Sequence, residues 1–221
     1  MTRNPLTPDA LDPVFAPPHD LPGTLISIVG FDGSGKTTQI TALAERFRAE
    51  GRTVVETRQP TDWYRNEAAV QHFHEEGGSR ERARILALFA AADRHRHVQE
   101  VILPALRRGA VVICDRYVYA TFGVFIHRGV DPAFLVTLNQ GVPRPDFAFF
   151  LDLPTASLIE RLRSRDGDKL KFEERSPERI EAIVSIYRGM AGQLIRVDGA
   201  QSREAVTAAL WSHCHAQVTA G

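Results

Sequence analysis

Gly30-Phe31-Asp32-Gly33-Ser34-Gly35-Lys36-Thr37-Thr38 carries the spacing glycine, four residues, Gly-Lys-Thr, which is that of a phosphate-binding loop. Glycines let a backbone curl until successive N–H groups face one anion. In this reading Lys36 reaches the β- and γ-phosphates, Thr37 offers a hydroxyl to Mg2+, and the next helix adds its positive N-terminal end. So short a motif needs its context. Leu25-Ile26-Ser27-Ile28-Val29 before it is an apolar run, and Lys36 to Ala49 after it has the pattern of an amphipathic helix. Strand, loop and helix sit where the motif requires, so the stretch predicts a nucleoside triphosphate site.

Working outward, apolar strands alternate with helical patterns. Strands are expected over 25–29, 53–57, 111–114, 147–151 and 194–197. Helical patterns cover 37–49, 80–107, 132–140, 154–165, 177–191 and 202–217. Such alternation predicts an α/β fold, a parallel sheet with helices on both faces, and ligands at the carboxyl ends of its strands. There is no internal repeat, so residues 23–221 read as one domain.

The 27 basic and 27 acidic residues cancel, which removes a bulk-charge case for nucleic acid or a membrane as partner. Residues 1–22 hold six of the thirteen prolines and no apolar core behind basic residues, so they read as neither signal peptide nor span. An extended, poorly ordered arm, removable without loss of stability, is expected there. Cys114 in a strand-like run and Cys214 in a late helix fit a reducing cytoplasm better than a disulfide framework. Ser212-His213-Cys214-His215 has metal-binding residue types, but neighbours on a helix diverge and no partner pair is evident.

Asp115 ends the third strand, where phosphate-loop enzymes place a carboxylate near Mg2+ or its waters; the alternative is an Asp capping a turn. Arg116 beside it would sit unpaired unless an anion joined it, and a second phosphate-bearing substrate supplies one.

Several motifs, in order, resemble the thymidylate kinase family: Phe31 to Gln39, Thr57-Arg58-Gln59-Pro60, Ala92-Asp93-Arg94 running into Val98 to Leu106, Asp115-Arg116-Tyr117, Pro143-Arg144-Pro145-Asp146 and Val197-Asp198-Gly199. The likeness covers nearly everything after about residue 24. It implies Mg2+-dependent transfer of the ATP γ-phosphoryl group to a nucleoside monophosphate, a five-stranded sheet of order 2-3-1-4-5, and commonly a homodimer. It further implies that Gly30 to Thr38 hold the donor, with Lys36 at its phosphates and Thr37 and Asp115 at the metal. Arg58 and Arg116 would clamp the monophosphate, Asp32 would contact the acceptor sugar or the transferring phosphate, and Arg94 matches the arginine that hydrogen-bonds the base. Arg161, Arg163 and Arg165, followed by Lys169 and Lys171, resemble the family's mobile lid, taken as about 161–176. Gly33-Ser34 puts no arginine in the loop, so charge for the transferring group is expected from Arg161 and Arg165, four apart on one helical face. The alternative is a solvated basic face.

Departures from the family pattern fall on the acceptor pocket. Ala90 stands where the family has a stacking phenylalanine, with Phe89 one place earlier, and Val124 replaces a tyrosine that crowds the sugar 2′ position. Thr121 could hydrogen-bond a base, and Phe122 or Phe125 could stack on one; each could equally be core. Gln59-Pro60-Thr61-Asp62 departs from Glu-Pro-Gly-Gly. Three readings remain open from the sequence: a deoxythymidine monophosphate kinase, a kinase of the same architecture for another pyrimidine or modified nucleotide, and a nucleotide-binding regulatory module without transferase activity.

Overall fold

The computed structural model describes residues 8–167 and 169–218. Its sheet has five parallel strands, β1 (Thr24–Val29), β2 (Val54–Arg58), β3 (Val111–Asp115), β4 (Phe147–Asp152) and β5 (Ile195–Asp198), in the order β2-β3-β1-β4-β5. Helices α1 (Lys36–Ala49), α2 (Asp62–Arg65), α3 (Ala68–Glu76), α4 (Arg80–His97), α5 (Leu103–Arg107), α6 (Tyr117–His127), α7 (Pro132–Leu138), α8 (Thr155–Asp166), α9 (Pro177–Gly189) and α10 (Arg203–Val218) complete it. β1, β3 and β4 read as continuous apolar runs because helices cover both faces, and β4 is buried from end to end.

Strand expectations hold to within a residue, whereas three helices escape the pattern reading. α6, YVYATFGVFIH, is so deeply buried that it lacks the polar stripe on which helical periodicity depends. Gly123 in its middle lets α9 approach closely: a Cβ there would lie 2.3 Å from the Tyr187 ring. α2 and α3 are too short for a period to emerge. The expected helix 80–107 is interrupted by a π-helical turn, Val98–Ile102, ahead of Pro104, which has no N–H to continue the ladder.

The β3–α6 corner holds the two positive-φ residues other than glycine among the described residues. Arg116 and Tyr117 both have positive φ, +78° and +56°, and the Arg116 N–H donates to the Ile28 carbonyl at 2.8 Å. Side chains with a Cβ rarely adopt such a backbone, and strain of this kind gathers at functional sites.

The expected loose arm needs correction for residues 8–16. Pro8–Val14 forms a 3₁₀ helix that sinks Leu11, Val14 and Phe15 into the core, and Ala16 N–H donates to the Val142 carbonyl at 2.8 Å. Asp12 accepts from Arg144 at 2.7 Å and from Gln193 at 2.9 Å. Proline content suggested an extended coil, but three apolar residues at near-helical spacing are enough to dock it. The part of that expectation covering residues 1–7 lies outside the described residues.

Leu11→Ala is expected to cost about 2–4 kcal/mol, lowering Tm by roughly 4–16 °C for a domain this size. Thermal denaturation checks it; an unchanged Tm would mean that the segment contributes nothing to the core.

Candidate active site

β1 delivers the chain into the glycine loop at the sheet's carboxyl edge. Gly33 and Gly35 take φ of +84° and +91°, conformations open to glycine, and α1 begins at Lys36 directly behind them. Lys36 is buried; its Nζ donates to the Phe31 carbonyl at 2.9 Å and lies 3.9 Å from Asp32. Thr37 and Thr38 face solvent at the mouth of a cleft that also takes in Asp115, Arg116, Arg161 and Arg165. Lys36, Arg161 and Arg165 line it, so the cleft is suited to a polyanion.

Asp32 is the hub. Its carboxylate pairs with Arg116 and with Lys171, the latter at 2.9 Å. Burial alone would raise its pKa, but Arg116, Lys36 and Lys171 together hold it well below the usual carboxylate range. Arg116 is correspondingly driven further into its charged form, since Asp32 and Asp115 outweigh burial. The arginine expected to wait unpaired for an anion therefore has a counter-charge within the loop itself. Asp115 Oδ1 is buried without a hydrogen-bond partner among the described residues, in a cleft it shares with the Thr37 hydroxyl.

A second cavity opens on the other flank of Asp32 and Arg116. Phe31, Tyr64, Arg65, Ala120, Thr121 and Val124 contribute to its walls. The stretch after α8 closes over it with Lys171, Glu173 and Glu174. Arg128, at the end of α6, donates through Nε to Glu173 at 2.7 Å, which fastens that stretch to the body of the protein.

Of the five residues expected to bind the acceptor, Arg116 and Thr121 line this cavity, and Arg94, Phe89 and Arg58 do not. Arg94 is buried behind it, donating to Asn139 at 2.9 Å and to Gln59 and Thr121. A buried guanidinium must have its donors satisfied, and these neighbours do so from within the fold. Phe89, turned about 100° from the Ala90–Arg94 face, packs on Trp63 and Tyr64 with centroids at 4.5 and 5.6 Å. Of these three rings, Tyr64 is the one that reaches the cavity. Arg58 pairs with Asp62, the carboxylate standing where the family pattern has glycine, and lies in a neighbouring groove with Thr37, Asp115 and Trp63.

α8 places Arg161 and Arg165 on the same cleft, one helical turn apart. Leu158 and Leu162 are buried, and the adjoining flank turns Arg161 towards the loop, Nη1 lying 3.5 Å from the Gly33 carbonyl. Arg165 lines the same cleft, paired with Asp166 at 2.5 Å. Sequence reasoning missed Arg65 and Tyr64, whose only signal is the departure Thr61-Asp62-Trp63-Tyr64-Arg65 after Gln59-Pro60.

A sequence model of the thymidylate kinase family matches residues 28–210. The chain belongs to the thymidylate kinase family. It is 43% identical over 155 residues to a probable thymidylate kinase of Pyrococcus horikoshii, covering 69% of this chain and 75% of that one. It is 35% identical over 203 residues to the thymidylate kinase of Solidesulfovibrio magneticus, covering 84% and 96%. The thymidylate kinase of Gluconobacter oxydans is 35% identical over 223 residues, covering 89% and 96%. Thymidylate kinases are nucleoside monophosphate kinases with ATP as donor, and the two cavities meeting at Asp32 and Arg116 suit two phosphate-bearing substrates. Among the described residues no helix is long and apolar enough to cross a membrane.

Burial, with Arg116 beside it, lowers the Lys36 pKa from 10.5 to about 8 against the attraction of Asp32 and Asp115. Between those values the unfolded chain binds more protons, so the Lys36 contribution to stability rises with pH there. A bound triphosphate restores the charged form. kcat/KM for ATP should therefore fall above about pH 8, while kcat at saturating ATP holds to higher pH. Coincident alkaline limbs would contradict this.

Proposed function

We propose that this thymidylate kinase transfers the γ-phosphoryl group of ATP to deoxythymidine monophosphate, the donor in the loop cleft and the acceptor in the Tyr64–Val124 cavity. What carries the reading is that both cavities include Asp32 and Arg116, so a donor and an acceptor phosphate would meet at one charged pair. An acceptor-phosphate oxygen attacks the γ-phosphorus in line, the bond to the β-phosphate oxygen breaks, and ADP leaves.

In this account Gly30, Phe31, Gly33, Ser34, Gly35 and Thr38 form the cradle, and Lys36 follows charge at the β- and γ-oxygens. Arg116 orients the acceptor phosphate while Asp32 keeps it aimed. Arg161 and Arg165 neutralise the transferring group from the lid, taken as about 161–176 in a kinase domain that starts near residue 23. Thr37 and Asp115 would hold Mg2+, to which the orphaned Asp115 oxygen is suited. When bound, the ion neutralises β- and γ-phosphate charge. No three metal-ligating side chains cluster among the described residues, which fits an ion completed by phosphate and water. A homodimer through α4 belongs to the proposal: Ile85 and Leu88 share a face of it, 62% and 45% exposed, with Trp63 nearby. The two free, buried thiols fit a cytoplasmic setting.

Relaxed acceptor choice is favoured by one observation: Val124 and Ala120, both small, line the cavity, while Arg94 is committed behind it. Losing a steric wall or a stacking ring is worth about 1–3 kcal/mol. Preference for deoxythymidine monophosphate over the uridine nucleotide should fall about 10- to 100-fold short of a Val124→Tyr variant. Ratios of kcat/KM across deoxythymidine, deoxyuridine and uridine monophosphates measure it. Equal selectivity in both proteins would contradict the relaxed pocket, and no turnover of any of the three would contradict the function.

A further inference from the structure

We infer that Arg65 is the second arm of the acceptor-phosphate clamp, opposite Arg116, in the place where the family pattern leads one to expect Arg58. The inference rests on the acceptor cavity being as proposed above.

Three observations converge on Arg65. It lines the acceptor cavity together with Arg116 and Asp32, whereas Arg58 does not. Its Nε donates to the Pro60 carbonyl at 2.7 Å, which fixes the plane of the guanidinium. No carboxylate pairs with it among the described residues, so both Nη groups remain to be filled. Arg58, by contrast, is already satisfied by Asp62. Three arginines line this cavity; Arg116 has Asp32 and Arg128 has Glu173, whereas Arg65 has no carboxylate partner among the described residues, an arrangement that is costly unless an anion joins it. Burial, then Arg116 and Arg58 beside it, lower the Arg65 pKa, as expected of a cation placed where positive charge already accumulates.

Local architecture explains how the residue arrives there. Thr61 caps α2, and its backbone N–H donates at 2.7 Å to Asp93, a fully buried carboxylate on α4. The single turn that follows sends Tyr64 into the core beside Phe89 and Arg65 into the cavity. A planar fork held at Nε, with two free N–H edges, matches the bidentate geometry that a phosphate monoester accepts. Arg65 is therefore a binding and positioning residue that acts on the acceptor phosphate, not on the base or the donor.

Full-length Arg65→Ala and Arg65→Lys proteins, compared with the unaltered chain, test this. Loss of a charge-assisted pair should raise KM for deoxythymidine monophosphate about ten-fold or more in Arg65→Ala. KM for ATP should stay within about two-fold, and Arg65→Lys should recover only part of the loss because the fork is gone. The decisive comparison is with thymidine, which has the base and sugar but no phosphate: its dissociation constant should be the same in all three proteins. Equal weakening of thymidine and its monophosphate, or an unchanged KM in Arg65→Ala, would overturn the clamp while leaving the acceptor assignment standing. An unaltered chain that neither binds nor phosphorylates deoxythymidine monophosphate would overturn the acceptor assignment and the clamp with it.

Discussion

One carboxylate, Asp32, sits among three cations that come from three different parts of the chain: Lys36 from the loop's own helix, Arg116 from the β3–α6 corner and Lys171 from the stretch after α8. Like charges brought so close in a buried place repel strongly, and an anion fixed at their centre makes the arrangement stable before any nucleotide arrives. The site is thereby preorganised. The cost of bringing cations together is met in folding, and incoming phosphates find them already aimed. The same carboxylate joins the two cavities, so the loop, the β3–α6 corner and the stretch after α8 are parts of one electrostatic unit.

Behind this unit lies a second polar layer that touches neither cavity except through Thr121. Gln59 accepts from Arg94 and, through its amide N–H, donates to His97 Nδ1 at 2.9 Å. His97 then carries its proton on Nε2 and donates to Thr57 at 2.7 Å. Burial, the largest influence, lowers the His97 pKa and keeps the ring neutral. A fully satisfied buried network of this kind fixes the ends of β2 and α4 relative to α6. Those elements in turn set where α2 begins and how the Val124 face of α6 meets the cavity. The departure at Gln59 has a local reason: its amide accepts from Arg94 and donates to His97, and a carboxylate could not do both, while Tyr64 supplies an aromatic wall where position 90 has none.

The phosphate loop, the five strands and the shared face of Arg161 and Arg165 were legible because each depends on local pattern: glycine spacing, apolar runs and a four-residue helical repeat. Asp115 and Arg116 were legible as a strand end followed by a basic residue. What the sequence hid was long-range pairing. Nothing local announces that Asp62 draws Arg58 aside, that Arg65 four residues after Thr61 turns inward, or that Asp32 and Lys171, 139 residues apart, close on each other. α6 was hidden because complete burial erases amphipathic contrast, and residues 8–16 because prolines imitate a disordered arm while Leu11, Val14 and Phe15 supply a small docking face.

The Asp32 charge ties residues 169–174, through Lys171, to the phosphate loop. Hydrogen exchange in the nucleotide-free protein, comparing the natural chain with Asp32→Asn, tests it without relying on turnover. Loss of the ion pair to Lys171 should speed exchange of the backbone amides over 169–174 by about ten-fold, a local opening easier by about 1.4 kcal/mol. Protection in β1, β3 and β4 should be unchanged. Identical exchange over 169–174 in the two proteins would show that this stretch is held elsewhere, and the central role given to Asp32 would fail.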